Sequence, residues 1–414
     1  MFLIIKLAFR NVFRNIRRSI LTFLTITIGI AISILTVALS IGLERQSIKL
    51  SVDTKSGHVK VYGKGYQDDE LTLPLDYSFS GYEEIISNIN ELPSVRSTAE
   101  KILFQATLTN GIDELILTGS AINIEREHSS FDLKNRIVKG EYLAQNDEQI
   151  LIGTKIAELL EVNVGDNLTV IARTKYDALT ALDVTIKGLL NTNNPEIDNN
   201  WFYIPLSTAQ NLLDMDGEIT EITAFGSSMN SANALKNDIS QVISGNDIDN
   251  FEIATWDVVS ETLVRIFEIR AKARQIIYLI LFIMASASVM NTMLMSIFER
   301  TQEIGTLMAM GFKKRKIMYM FSVEGVVLGI LGSLTGCMIG GPAAFYLKIN
   351  GWNITEMRES AFSDFPVGNY IYADITYFGL FIFFLIGVAV ALISALYPSW
   401  KSSRLEPTDA LRSV

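Results

Sequence analysis

Side chains able to do nucleophilic, acid–base or metal chemistry are few and scattered in this sequence. The chain of 414 residues contains one cysteine, Cys337, and two histidines, His58 and His128, which lie far apart. Zinc and related metal sites need several Cys or His ligands at short spacing. We therefore expect no His/Cys metal site.

Acidic pairs and short motifs do not indicate an enzyme either. Asp68-Asp69 and Glu83-Glu84 lie in polar or helical surface segments, where a solvated face explains them better than a pair of glycosidase carboxylates. The sequence contains no G-x-x-x-x-G-K-[ST], no G-x-S-x-G and no H-E-x-x-H. We expect no catalytic residue and no cofactor held by this chain.

The elements that must position the remaining candidates are membrane helices. The chain is 49% hydrophobic with a mean hydropathy of +0.28, and crossing a bilayer takes about 20 apolar residues. We predict an α-helical membrane protein with four transmembrane spans, at 19–43, 275–298, 319–347 and 375–400. Because the first apolar run is longer than that of a signal peptide, an uncleaved anchor is preferred over a cleaved leader.

The distribution of Lys and Arg predicts the orientation. Basic residues precede the first span and recur in the loop 299–318 and the tail 401–414, whereas the short loop 348–374 is acidic. By the positive-inside rule these three basic segments face the cytoplasm. In residues 1–18 the basic side chains fall on one face of a helix and the apolar side chains on the other. This pattern predicts an interfacial helix on the inner membrane surface. A plain positive-inside anchor explains the basic residues equally well.

A large domain, residues 44–274, then lies outside the cytoplasm. It carries 20 Lys/Arg against 36 Asp/Glu, which argues against nucleic-acid binding. Strand–helix–strand patterns over about 57–121 and 218–256 predict a split ferredoxin-like module. The segment between them, about 122–216, predicts an inserted β-rich module, so the domain is expected to be α+β.

The loop between the second and third spans contains ERTQEIGTLMAMGFKKRKI, residues Glu299–Ile317. An apolar stripe at i, i+3, i+4, i+7 predicts an amphipathic helix here, formed by Ile304, Leu307, Met308 and Gly311. With no membrane to cover, this stripe is expected to need a partner, either the inner membrane surface or another protein.

The third span combines small residues with one carboxylate. Glycines at about four-residue spacing let helices approach closely, and packing within the chain is preferred here over a dimer seam: Gly325, Gly329, Gly332, Gly336 and Gly340. Glu324 begins the same span, and an intramembrane carboxylate is a functional candidate. Snorkelling or pairing with Arg315 or Lys316 explains it equally well.

Several segments together resemble the FtsX-like permease superfamily, in its MacB and lipoprotein-releasing (Lol-type) branch. In chain order they are LAFRNVFRNIRRS, ILIGTKIAELLEVNVGD, FYIPLSTAQNLL, the loop quoted above with the following EGVVLGILGSLTG, and YPSWKSSRLEPTDALR. They extend from the first helix to the last residues. The layout of one span, a large domain and three further spans agrees with this family.

The resemblance implies the permease subunit of an ABC transporter in the bacterial inner membrane. Two such chains, identical or paralogous, would pair with two copies of a cytoplasmic ATPase subunit that binds ATP and Mg²⁺. ATP-driven movement of the external domains would displace substrate without a pore (mechanotransmission). The residues implied to couple to the ATPase are Glu303, Ile304, Gly305, Thr306, Leu307, Met308, Ala309, Met310 and Gly311.

In Lol-type members the substrate is an acylated lipoprotein, which enters a cavity lined by the first and second spans and leaves to a periplasmic carrier. The methionines of the second span suit an adaptable apolar surface, although ordinary membrane packing explains them equally well. The cavity positions implied here are Ile30, Ile34, Val37, Ile283, Met290, Met293 and Phe298. The hairpin ARTKYDALTALDVT is short and lacks the proline of the carrier-recruiting member, which argues against direct carrier docking.

The leading hypothesis is extraction of lipoproteins from the inner membrane. One alternative is MacB-like export of a peptide, toxin or antibiotic through a tripartite pump. A second is an FtsX-like relay that activates a cell-wall hydrolase, against which the large two-module domain counts.

Overall fold

The structure, a computed structural model, describes residues 16–144, 148–243, 250–362 and 365–404. Most of the interfacial helix predicted over 1–18, and residues 405–414 of the predicted tail, lie outside the described residues. The chain forms two compact units. We call them the helical unit (residues up to Arg45, Phe267–Ile354 and from Tyr370 onward) and the sheet domain (Gln46–Ile266 and Thr355–Asn369).

The described elements alternate between long apolar helices and a mixed sheet. The helices are α1 (Ile16–Ser51), α2 (Tyr82–Asn90), α3 (Ile124–Ser130), α4 (Thr154–Leu159), α5 (Pro195–Asn200), α6 (Leu206–Leu213), α7 (Ala232–Ile243), α8 (Trp256–Val259), α9 (Glu261–Glu299), α10 (Thr301–Ala309), α11 (Lys314–Asn350), α12 (Thr355–Ala361) and α13 (Tyr377–Ser403). The strands are β1 (Val59–Gly63), β2 (Phe79–Ser80), β3 (Val95–Thr109), β4 (Glu114–Ile122), β5 (Ile137–Gly140), β6 (Gln149–Gly153), β7 (Asn167–Arg173), β8 (Leu179–Leu190), β9 (Trp201–Pro205), β10 (Glu218–Ile219), β11 (Glu221–Gly226), β12 (Phe251–Thr255), β13 (Trp352–Asn353) and β14 (Tyr370–Ile371).

Among the described residues, four helices, α1, α9, α11 and α13, are long and apolar enough to cross a membrane, as the predicted fold class requires. They extend beyond the predicted spans: α1 continues to Ser51 and α9 begins at Glu261. The added turns contain polar residues such as Glu261 and Arg265, which favour helix without favouring lipid. The apolar run therefore predicts the bilayer-crossing part of a helix, and not its full length.

The glycines of α11 let it lie close to two neighbouring helices. A Cβ atom on Gly325 or Gly329 would stand 2.5 Å from the Cβ of Ala395 or Ala391 of α13. At three further glycines a Cβ would stand 2.9 Å from an atom of α1: Gly332, Gly336 and Gly340. Such contacts are too short for any larger residue, so α11 packs between α13 and α1 of its own chain.

One half of the sheet domain is a ferredoxin-like module. Its units β1-α2-β3 and β11-α7-β12 give the antiparallel strand order β12-β1-β11-β3. Apolar residues of α2 and α7 pack on one face of this sheet, among them Ile86, Ile89, Leu235 and Ile239. The split ferredoxin-like prediction is confirmed.

The other half of the sheet domain is a closed barrel of six strands. Pairing runs from β3 through β4, β9, β6, β8 and β7 and returns to β3. The ring of Phe104 fills its interior at the position that a side chain on Gly119 would occupy, 2.3 Å from that glycine's ideal Cβ. β3 pairs with β11 over its first half and with β7 over its second half.

The boundary predicted near residue 122 is therefore too late. The β-rich module begins within β3, and β4 belongs to the barrel instead of to the ferredoxin-like module. The reason is that β3 is one continuous strand that belongs to both modules. The residue pattern of a strand does not show where its pairing partner changes.

The segment between α11 and α13 is more than a short loop. Its residues Thr355–Asn369, which include α12, belong to the sheet domain. Arg358 donates hydrogen bonds through Nη1 to Asn193 Oδ1 at 2.7 Å and to Asn369 Oδ1 at 3.2 Å. The third and fourth spans are thus connected through a segment of that domain.

Candidate functional site

The candidate site centres on α10, the short helix predicted to couple to an ATPase. Its first turn closes when the Ile304 N–H donates to the Arg300 carbonyl oxygen at 3.0 Å. It ends in a Schellman motif, in which Gly311 N–H donates to Met308 O at 2.9 Å and Phe312 N–H to Leu307 O at 3.1 Å. Gly311 has φ +90°, a conformation that glycine adopts without steric cost.

The apolar stripe of α10 faces its own chain. Ile304 is buried in a cluster with Ile297 of α9 and with Ile317, Met320 and Phe321 of α11, and Leu307 and Met308 pack against this cluster. The expectation that the stripe needs a membrane or a second protein is therefore wrong. A helical period identifies an apolar face, but the ends of the adjoining helices supply its partner here.

The opposite face of α10 is exposed and differs in character. On this face Met310 is 67% exposed and is flanked by small and polar side chains, although Gly305 of the same helix is buried. The exposed positions are Gln302, Glu303, Thr306, Ala309 and Met310, followed by Gly311 and the exposed basic run Lys313–Lys316. Of the nine predicted coupling residues, Glu303, Thr306, Ala309, Met310 and Gly311 are exposed in the structure.

Glu324 is buried in the helical unit and pairs with Arg300. Arg300 Nη1 lies 3.3 Å from Glu324 Oε2, and both side chains are about 95% buried. The predicted pairing with Arg315 or Lys316 is wrong, because those two residues are exposed at the start of α11. A cavity of about 10 Å³ adjoins the pair, lined also by Ser19, Thr22, Thr292, Met293, Ser296 and Leu328.

The long helices differ in how much of their apolar surface this chain covers. In α11, half of the 18-residue apolar stretch is buried, whereas in α9 only 11% of the corresponding stretch is buried. Large apolar side chains of α9 are exposed between residues 276 and 284, including Ile276, Ile280, Ile283 and Met284. α1 likewise exposes Leu21, Leu24, Ile28 and Ile32. These two surfaces face lipid, a second protein chain or substrate.

Two family models match this chain. The MacB-like periplasmic core domain matches residues 19–242, more than half of the sequence, and the FtsX-like permease C-terminal model matches residues 275–407. The chain belongs to the FtsX-like, MacB-type family of ABC transporter permeases. The four apolar helices accordingly make this permease a multi-pass membrane protein.

Curated relatives come from more than one branch of the family. The permease is 23% identical to the lipoprotein-releasing system transmembrane protein LolC of Xylella fastidiosa, over 95% of this chain and 93% of that one. It is 24% identical to the uncharacterized ABC transporter permease YknZ of Bacillus subtilis, over 99% and 98% of the two chains. It is also 24% identical to the macrolide export ATP-binding/permease protein MacB of Campylobacter jejuni, over 98% of this chain and 60% of MacB.

The seven predicted cavity positions do not share one exposed surface in the permease. Ile30, Ile34 and Met293 are buried against neighbouring helices of the same chain. Ile283 and Phe298 are exposed, at 59% and 55%. Val37 and Met290 are half-buried. A chain with span-length apolar runs has apolar residues on every helical face, so the pattern of residues does not identify the outward face.

The sheet domain of the permease contains a cluster of buried charges that no pattern in the sequence predicts. Lys60 Nζ lies 2.7 Å from Glu221 Oε2, with both side chains about 99% buried. Lys101 stands directly opposite Glu221 in the pairing of β3 with β11, and its Nζ lies 3.2 Å from the centre of the Phe131 ring. Lys60, Lys101 and Glu221 lie on the face of the sheet opposite to the one on which α2 and α7 pack.

Burial changes the titration of this cluster. It lowers the pKa of Lys101 to about 7, because a charged ammonium loses its hydration there. Burial also raises the pKa of Glu127, whose carboxylate accepts a hydrogen bond from Tyr142. A lysine within a strand pattern normally indicates a solvent-facing side chain, so no sequence signal identified these positions. Among the described residues, no His/Cys/Asp/Glu group is arranged to hold a metal ion.

Proposed function

We propose that this chain is a permease subunit that extracts acylated lipoproteins from the bacterial inner membrane by mechanotransmission. The observation that carries the proposal is the likeness to LolC over 95% of the chain. The uncovered apolar surface of α9 supports it, since an acyl chain needs an apolar helix that its own protein does not already cover.

ATP hydrolysis is assigned to a separate subunit, present in two copies and holding ATP and Mg²⁺. The exposed face of α10, with Thr306, Ala309 and Met310 at its centre, would dock in that subunit. The buried stripe on the other side of α10 would hold the helix firmly to α9 and α11. A second permease chain, identical or paralogous, completes the transporter.

The acyl chains of the lipoprotein are assigned to the outward surfaces of α1 and α9. Ile28, Ile32 and Ile283 are exposed there and replace the buried positions Ile30, Ile34 and Met293 in the proposed cavity. Membrane lipid would cover these surfaces between transport cycles. The N- and C-termini would lie in the cytoplasm and the sheet domain in the periplasm, as the distribution of basic residues predicts.

Export through a tripartite pump is the second candidate. The likeness to MacB favours it, and so does the short turn 174–178 between β7 and β8. That turn offers little chain with which to recruit a periplasmic lipoprotein carrier.

Depletion of the protein followed by membrane fractionation tests the proposal. Lipoproteins are expected to accumulate in the inner membrane, and re-expression of the wild-type chain should restore their normal distribution. If lipoproteins reach their destination normally in depleted cells while a peptide or antibiotic is retained, the protein is an exporter and the lipoprotein assignment is wrong.

A further inference from the structure

The Arg300–Glu324 ion pair lies at the corner where α9 ends and α10 begins. Arg300 donates its backbone N–H to Ile297 O of α9 at 3.1 Å, and its carbonyl oxygen accepts the Ile304 N–H of α10 at 3.0 Å. Any tilt of α10 therefore moves the backbone of Arg300. Its side chain points inward and reaches α11, 3.3 Å away at Glu324.

Glu324 lies where the close packing of α11 begins. The next residue, Gly325, is the first glycine in contact with α13, and further glycines along the same helix contact α1. One turn earlier, Phe321 packs against Ile304 of α10. A displacement of Glu324 would therefore move a helix that is tightly packed against two other spans.

Stability alone does not account for a buried ion pair at this corner. Burying two charges costs hydration that their attraction seldom exceeds, and apolar side chains of similar size often stabilise as well or better. Ionisable residues within membrane segments are costly and usually functional. In a low dielectric their attraction is strong and acts over a longer range than apolar contacts, which lose about a quarter to a half of their attraction over a gap of about 0.5–1 Å.

We propose that the Arg300–Glu324 ion pair transmits movement of α10 to α11, and through it to α1 and α13. Arg300 and Glu324 are proposed as positioning residues, which act on α11 instead of on nucleotide or substrate. The ion pair couples the orientation of α11 to that of the corner between α9 and α10. Apolar contacts around Ile304 can slide, whereas the ion pair holds one atom of α10's first turn to one atom of α11. This inference rests on the proposed docking of an ATPase on α10.

Hydrogen exchange of the whole transporter, reconstituted in lipid with its ATPase subunit, tests the proposal without requiring a known substrate. In the wild type, ATP is expected to change amide exchange in both α10 and α11. Arg300→Met and Glu324→Gln should retain the ATPase subunit and the response of α10. The response of α11 should fall by about tenfold, within the usual range of coupling between sites.

A charge exchange separates transmission from simple packing. Arg300→Glu combined with Glu324→Arg should restore the α11 response to within about threefold of wild type. Arg265→Met is the matched control, because it breaks an exposed Arg–Glu pair near the start of α9, the helix that ends next to Arg300, and should leave both responses unchanged. A full α11 response in the single variants, or no recovery in the charge exchange, would overturn the inference.

The proposed function can fail separately. Thr306→Arg lies on the exposed face of α10 and should reduce the amount of ATPase subunit that co-purifies. If it does not, and if α10 gives no response to ATP in the wild type, the docking assignment is wrong. Loss of the ATPase subunit in Arg300→Met would instead mean that the ion pair merely shapes the docking face, which contradicts transmission.

Discussion

Within the part of the chain that the structure describes, each unit of the permease contains a Lys/Arg–Glu ion pair in which both side chains are buried, and the two pairs are held in different ways. Lys60 and Glu221 lie on β1 and β11, neighbouring strands whose backbone hydrogen bonds fix their separation. Arg300 and Glu324 lie on either side of a helical corner, and the pair joins segments that no strand ladder holds together. The backbone separation of the first pair is set by the sheet, whereas the second pair can follow a tilt of α10.

Comparison of the two ion pairs indicates where a buried charge can transmit movement. In the sheet domain, the effect of the charges is on the free energy of unfolding, since the backbone already determines the geometry. At the corner of the helical unit, no strand pairing sets the geometry, so the ion pair can restrain how α10 lies against α11. The following predictions test this distinction, beginning with the largest expected effect.

Glu221→Gln should be the most damaging of these substitutions. It leaves Lys60 and Lys101 buried without their shared carboxylate, and breaking a buried pair costs about 3–5 kcal/mol of unfolding free energy. Thermal unfolding of the detergent-solubilised protein, with proteolytic fragments assigned to the sheet domain, measures the loss. Lys155→Met breaks an exposed pair with Glu158 and should cost less than about 0.5 kcal/mol. Equal losses in the two variants would contradict a buried role for Glu221.

Lys101 should make the stability of the sheet domain depend on pH. Its pKa is about 7 in the folded protein and about 10.4 in the unfolded chain. Between these values the unfolded chain binds a proton that the folded chain does not, so stability should rise from pH 7 to pH 9, by about 2 kcal/mol. The charged groups that face Lys101 are Glu221, Lys60 and Glu127.

Lys101→Met tests that pH dependence. The variant should remove most of the rise in unfolding free energy between pH 7 and pH 9, because the side chain no longer titrates. Lys139→Met, at an exposed lysine of β5, should retain the rise. A persistent rise in Lys101→Met would assign the titration to another group.

The smallest effect on stability is expected for an apolar replacement of the corner pair. Arg300→Met combined with Glu324→Leu should change the unfolding free energy by less than about 1 kcal/mol, because it removes both charges together. The same double variant should fail to restore the ATP response of α11. A large loss of stability, measured by unfolding in detergent, would make the corner pair resemble the pair in the sheet domain.

Local patterns in the sequence predicted the elements but not all of their partners. Four apolar runs gave the membrane spans, and two strand–helix–strand patterns gave the ferredoxin-like module. Closure of the barrel depends on pairing between β7 and the far half of β3, and nothing local in either strand specifies it. The helical unit shows the same limit, since Ile304 has an apolar period but its partners come from two other helices.

The candidate site was predicted as a segment, and its orientation was not. The period of α10 gave the correct stripe, yet its outward face is the polar and small one, with Thr306 at its centre. The sequence suggested Arg315 or Lys316, on the same helix, as partners of Glu324. In the structure Arg300 reaches Glu324 from the preceding corner. Pair formation across a turn depends on how helices pack, which composition and spacing do not record.

The strand β3, shared by the two modules of the sheet domain, has a consequence for the synthesis of the protein. The barrel strands run from β3 to β9 in one stretch of chain, whereas β1 pairs only with β11 and β12, near the end of the domain. At usual rates of translation the ribosome makes the intervening chain in a time on the order of ten seconds. The barrel can therefore fold while β1 and the first half of β3 still expose unpaired edges. A chaperone that recognises extended segments is expected to bind at those two edges. Translation stalled only after residue 210 has left the ribosome should leave a folded barrel with a protease-sensitive N-terminal strand.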